Sequence, residues 1–188
     1  MKKICITLLC LFNVISIGYN IHKHNTSNTN NILKISLYKE VSDYLSSKTK
    51  VHQLDSKLLV DLCLEYDIDI IFVLAQGQIE SLFGTKGIAS KTNSVWNIGS
   101  YDGRSAEYIN RKGKGYEHPN NSIEPYLKVL KNHYLVDKTE EHLMNNFVNK
   151  YGQRYASNPQ YEVMLRSVYR YIDKNTNIAN LQHTIKNI

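Results

Sequence analysis

Cysteine is scarce in this 188-residue chain: Cys5, Cys10 and Cys63 are the only three. The first two fall in a leader-like segment, so Cys63 alone would remain after processing. One thiol cannot close an internal disulfide, and no Cys/His spacing suited to zinc occurs, so neither a disulfide framework nor a metal centre is expected. Cys63 shares a helical face with Leu59, Leu62 and Tyr66 and reads as a buried core thiol rather than a nucleophile. Strand-like alternation is missing through the first 83 residues, and no internal repeat or second domain is found. No apolar run reaches the ~20 residues that span a bilayer. Basic residues outnumber acidic ones, 23 to 17, for a formal charge of +6. No concentrated basic stripe gathers that charge, which argues against nucleic acid and leaves an anionic wall polymer or a membrane surface.

Met1 to Gly18 reads as a secretory signal. Lys2 and Lys3 form its charged start, Ile4 to Ile17 its apolar run, and Ser16 and Gly18 the small residues before a cleavage point. Residues 19–31 are polar, rich in Asn, Thr and His, and have too little to bury to fold, so a flexible linker is expected. His22 and His24 there read as solvated.

Helical periodicity then takes over. Leu33, Leu37, Val41 and Leu45 recur every four residues and predict an amphipathic helix over 32–46. Asp55 or Ser56 can cap a second helix carrying Leu58, Leu59, Leu62, Cys63 and Tyr66, and Asp69 a third. From Gly84 to Pro119 glycine, Ser, Asn and charge dominate, which predicts a loop-rich lobe with a short hairpin around Tyr101 to Tyr116. Helical spacing returns at Ile123, Leu127, Leu130 and Tyr134. It continues at Leu143, Phe147, Val148 and Tyr151 after a cap at Asp137 or Thr139. Asn158 can cap a last helix with Pro159 at its first position, and Met164, Leu165, Val168, Tyr171 and Ile172 supply the core face. The expected organisation is a signal over 1–18, a linker over 19–31, one domain over 32–174 and a polar tail over 175–188. The fold class is mainly α (α+β), a helical core with a small loop-rich or β-hairpin lobe.

The third helix carries the chemistry. Ile71, Leu74, Ala75, Gln78, Ile79 and Leu82 form an apolar stripe, and Phe72, Gln76, Glu80 and Phe83 an adjacent face. Gly77 costs that helix about 1 kcal/mol against Ala, so another group is expected to approach the backbone there. Glu80 lies among apolar side chains at the helix end, where desolvation raises a carboxyl toward general-acid use. Beyond it, Gly84, Gly87 and Gly99 punctuate a polar loop holding the only tryptophan, Trp96. An acid, a loop and an aromatic are the parts of a carbohydrate cleft.

These residues resemble the core of the bacterial glucosaminidases of glycoside hydrolase family 73. Tyr66, Ile68 and Asp69 match that family's Tyr-Gly-Ile-Asp-Pro. Ala75, Gln76, Glu80, Ser81 and Gly84 match its Ala-Gln-x-x-x-Glu-Ser/Thr-Gly-Trp-Gly. Asn93, Val95, Trp96 and Ile98 follow its Asn-Asn-Leu-Phe-Gly-Ile loosely, and Tyr155 to Tyr161 resembles its Tyr-Ala-Thr-Asp-Pro-x-Tyr. The resemblance spans Leu54 to Tyr171. Leu82 and Phe83 stand where the pattern has Gly-Trp, Asn97 where it has Gly, and Asn158 where it has Asp.

The resemblance implies a lysozyme-like fold and hydrolysis of the β-1,4 bond after N-acetylglucosamine in peptidoglycan glycan strands. It implies no cofactor. Glu80 would protonate the leaving oxygen. Glu107, in Ala106-Glu107-Tyr108, resembles an acid-Tyr pair of the family and is the expected second carboxylate. Glu117 is the runner-up, and attack by the substrate's own acetamido group is the third route. Tyr155 would position the sugar, or be a core aromatic. Trp96 would stack on sugar or anchor its loop, and Gln76 and Tyr161 would contact substrate. A lytic transglycosylase or muramidase of the same superfamily is an alternative, although no Gly-Leu-Met-Gln segment follows Glu80. A non-catalytic wall-binding protein with this fold is another.

Overall fold

A computed structural model describes residues 28–97 and 115–188. The expected signal, most of the linker, the hairpin up to residue 114 and Glu107 lie outside the described residues. Helix α1 covers 28–48, so the first helix takes in the end of the segment read as linker. It is followed by α2 (Ser56–Glu65), α3 (Ile70–Ser81) and the short α4 (Ala89–Thr92). A 3-10 turn (Pro119–Ser122) leads into α5 (Ile123–Val129), which widens into a π turn (Leu130–Tyr134). Then come α6 (Glu140–Asn145), α7 (Tyr161–Asn175) and α8 (Ile178–Lys186). Among the described residues no strand forms beyond an isolated antiparallel bridge between Val148 and Arg154, and the architecture is mainly α.

Everything is laid around α3. Ile70 to Gly77 are all buried, so this helix is enclosed on every side rather than along one stripe. Its start is fixed by Asp69, whose carboxylate accepts from the Ile71 and Phe72 N–H groups, a cap worth about 1 kcal/mol. The Tyr169 hydroxyl of α7 donates to the other Asp69 oxygen at 2.6 Å. The Ile70 N–H, with no partner within the helix, donates to Gln182 Oε1 at 3.0 Å, and Gln182 Nε2 returns to the Ile68 carbonyl at 2.8 Å.

Gln182 belongs to α8, so the polar tail expected over 175–188 is instead a helix packed on α3, with Ile178, Leu181 and Gln182 buried. Its apolar stripe is short: Ile178 and Leu181 are buried, and Ile185 is half-buried against the core. Beside them the buried Gln182 satisfies backbone groups of Ile68 and Ile70, and a Gln on the inward face weakens the hydrophobic signal.

The helix expected to run from Thr139 through Tyr151 also stops early. Thr139 does cap α6, but the chain turns extended at Asn146 (φ −154°, ψ 92°). Asn149 then accepts from the Tyr151 and Gln153 N–H groups, a local turn that competes with helix. The resulting loop over 147–155 buries Phe147 and leaves Tyr151 70% exposed. Asn158 does not cap the last helix: it accepts from Gln160 N–H at 2.9 Å in a turn that also holds Pro159, and α7 opens only at Tyr161, with Gln160 before it and no side chain capping it. Cys63 is buried, and burial pushes its thiol far up and keeps it inert.

The C-terminal end of α3 is where the chain changes direction. Leu82, Phe83 and Gly84 follow one another in left-handed backbone, with φ of 48°, 58° and 82°. Glycine adopts such angles freely, whereas Leu at position 82 holds them against about 1–2 kcal/mol of steric cost. The reversal folds Phe83 back on α3: its N–H reaches the Gly77 carbonyl and its ring presses on Gly77. A Cβ at Gly77 would stand 3.2 Å from both the Phe83 ring and the Trp96 indole nitrogen, which explains the glycine in mid-helix. Ser81 secures the exit, its hydroxyl donating to the Val95 carbonyl at 2.6 Å and accepting from Gly84 N–H at 2.7 Å.

Candidate active site

Glu80 reaches from the last turn of α3 into a cleft of about 550 Å³. Ile79, Asn97, Tyr134, Arg154, Tyr155 and Met164 are among the residues that line it. That volume suits a small-molecule or sugar subsite. Oε1 of Glu80 accepts from the Tyr161 hydroxyl at 2.7 Å, and Oε2 from Asn97 Nδ2 at 3.1 Å. Burial raises the carboxyl above its usual range, while the two hydrogen bonds pull the other way without cancelling it. Its place at a helix C-terminus, where the backbone dipole disfavours negative charge, acts in the same direction as burial.

Behind the carboxyl runs a buried chain of hydrogen bonds. Tyr126 of α5 donates to Gln76 Oε1, Gln76 Nε2 donates to the Tyr161 oxygen at 3.1 Å, and Tyr161 donates to Glu80. Burial, then the Glu80 charge, pushes the Tyr161 phenol far above its ordinary range, so it remains a donor. With all three partners buried, this chain fixes one carboxyl oxygen and leaves no freedom to the groups behind it.

Of the residues singled out from the sequence, Glu80, Tyr155 and Tyr161 meet in this cleft. Gln76, expected to touch substrate, does not: it is fully buried in α3, and both ends of its amide are used by Tyr126 and Tyr161. Tyr161 is likewise only 3% exposed and serves the acid rather than presenting a free face. Trp96 borders the cleft but is not a stacking platform. It is 1% exposed, its ring lies on Tyr126 at 4.5 Å and 8°, and its indole N–H donates to the Val73 carbonyl at 3.0 Å. Trp96 therefore anchors the loop, through the gap that Gly77 leaves in α3.

Tyr155 is half-buried. Its ring stacks on Phe147 at 4.6 Å, and its hydroxyl donates to the Trp96 carbonyl at 2.7 Å, tying the 147–155 loop to the Trp96 loop. Glu117 is exposed, and its backbone carbonyl accepts from Asn93. Three cleft residues were not marked by sequence reasoning. Asn97 stood out only as a departure from glycine, and its φ of 51° shows why glycine fits that position. Arg154 is held by Glu162 at 2.7 Å and by the Asn158 carbonyl at 3.4 Å, and Tyr134 comes from the π turn. Adjacency of Arg154 to Tyr155 in the chain was the available signal for the first of that pair.

With this geometry in hand, comparison with known families gives a match over residues 56–174 to the glucosaminidase family model, described as mannosyl-glycoprotein endo-β-N-acetylglucosaminidase. No curated protein matches the chain.

Proposed function

The chain belongs to the glucosaminidase family, glycoside hydrolases of the endo-β-N-acetylglucosaminidase type with a lysozyme-like, mainly α fold, and on that premise we propose that it degrades peptidoglycan. In this reading it cuts the β-1,4 bond after N-acetylglucosamine, and Glu80 is the general acid. The observation that supports it is the state of that carboxyl. Among the described residues it is the one acid lining the cleft, raised by burial, and oriented on both oxygens by Tyr161 and Asn97.

A carboxyl with a raised pKa holds its proton near neutrality and can deliver it to the glycosidic oxygen as the bond to the anomeric carbon breaks. The cationic character left on the sugar ring then needs an electron pair from one of two sources. One is a water activated by a second carboxylate, for which Glu107, outside the described residues, is the choice and Glu117 the runner-up. The other is the substrate's acetamido oxygen. Tyr155 positions the sugar: it reaches the cleft from a loop that its own hydroxyl bonds to the Trp96 loop. The cleft mixes aromatic and aliphatic surface from Tyr134, Tyr155, Met164 and Ile79 with polar groups from Asn97, Asn158 and Arg154, as a sugar with apolar faces and a hydroxyl rim demands.

Export through the Met1–Gly18 signal would carry this activity to the envelope or beyond. No helix among the described residues is long and apolar enough to cross a membrane. A gel containing wall polymer tests the reading: wild type should clear it and Glu80→Gln should not. Absence of clearing by wild type would favour a wall-binding protein that keeps the fold without turnover.

A further inference from the structure

Asn97 is the second side chain on the Glu80 carboxyl, and it is held there against local preference. Its backbone is left-handed, with φ 51°, and its Oδ1 is buried with no hydrogen-bond partner. Glycine at this position would relieve both. What the asparagine provides is Nδ2, which donates to the Glu80 backbone carbonyl at 2.9 Å and to Glu80 Oε2 at 3.1 Å. The backbone carbonyl can only accept, so it decides which end of the amide faces Glu80. The second N–H is then committed to the carboxyl, where it serves the ionised form and opposes burial.

The other groups around that carboxyl do not duplicate this. Tyr161 of α7 donates to the opposite oxygen, and Tyr126 of α5 lies behind Gln76. Tyr134, Tyr155 and Arg154 line the same cleft, and Arg154, the charged one among them, is engaged by Glu162.

We propose that Asn97 is a positioning residue for the acid: clamped to the Glu80 main chain, its carboxamide fixes the Oε2 edge and stabilises the carboxylate left when the proton has moved to the leaving oxygen. The proposal rests on Glu80 being the acid. Its consequence is specific. Removing the donor leaves a carboxyl that releases its proton less readily and keeps it to higher pH.

The test is Asn97→Gly, which keeps the left-handed backbone open and removes only the side chain. The Glu80 carboxyl is titrated by carbon NMR in labelled wild type and variant, and kcat/KM is measured against pH on peptidoglycan. In the variant the carboxyl should titrate about one pH unit higher, and the basic limb of the rate profile should move with it. The thermal midpoint should stay within about 4 °C of wild type, because a purely structural Asn would cost stability and leave the titration alone. A Glu80 titration in the folded variant that is unchanged or lower overturns the proposal. The NMR titration does not depend on turnover. An active Glu80→Gln enzyme would therefore defeat the catalytic reading separately, while the titration still decides what Asn97 does to the carboxyl.

Discussion

Tyr161→Phe deletes a single oxygen atom, and the structure says what that atom does. The hydroxyl lies between Gln76 Nε2 at 3.1 Å and Glu80 Oε1 at 2.7 Å, inside a core where Gln76 is fully buried. Phenylalanine keeps the ring and its contacts with Phe147 and Tyr155. The loss is therefore electrostatic: a buried amide N–H is left without an acceptor, at about 1–3 kcal/mol. Taking about 2 kcal/mol, the midpoint of a domain this size falls by roughly 4–8 °C. Gln76→Leu should cost a similar amount, because Tyr126 loses its acceptor. The double variant should cost about 1 kcal/mol less than the sum, since the bond between the two side chains can be lost only once. Urea unfolding of the four proteins measures this. Activity adds a second reading: with its Tyr161 donor gone, Glu80 should hold its proton to higher pH, and turnover should fall as the acid loses its fixed orientation. Strictly additive losses, or a Tyr161→Phe protein as stable as wild type with the same pH profile, would refute the buried relay.

The stability of the acid itself has a sign that can be checked. Burial raises the folded Glu80 carboxyl above its ordinary 4.5, so the stabilisation from binding that proton is full at low pH and is lost as pH rises through the folded value. Glu80→Gln never charges, so its stability relative to wild type should rise as pH climbs from the ordinary carboxyl value of 4.5 through the raised folded one; a fall would contradict the burial. Asp137, exposed and left-handed at φ 56°, was one of two expected caps for α6, but Thr139 performs that role. Asp137→Gly should therefore raise stability by about 1 kcal/mol in thermal unfolding, and a loss would mean the side chain has a use there. Fused to a periplasmic reporter, Met1 to Asn25 should carry it across the membrane; retention in the cytoplasm would remove the secretory reading.

Much of the frame is legible in the residues because it rests on local signals. Asp69 as a cap, an inward apolar stripe on α3, Gly77 as a point of close approach and Glu80 at a helix end all follow from spacing and propensity within one helix. What is not legible depends on partners far apart in sequence. Gln182 looks like a tail residue until the Ile70 N–H and Ile68 carbonyl are seen to need it. Gln76 and Trp96 are the kinds of residue that touch sugars, and nothing in their neighbourhood says that Tyr126 has claimed both. The truncation of α6 is a different failure: Leu143 and Phe147 keep helical spacing, but the chain turns extended at Asn146, and the Asx turn at Asn149 then holds the following residues out of a helix. Asn97 was visible as an unusual residue, but its contact with the acid depends on Leu82 to Gly84 reversing the chain.

The central claim is that Glu80 protonates the oxygen leaving the sugar after which the bond is cut. Mass spectrometry of purified peptidoglycan digested by wild type and by Glu80→Gln tests it most directly. Wild type should release fragments with N-acetylglucosamine at the reducing end, and the variant should give a yield lower by about 10²–10⁴-fold. Near wild-type yield from Glu80→Gln, or fragments ending in muramic acid or a 1,6-anhydro sugar, would contradict it.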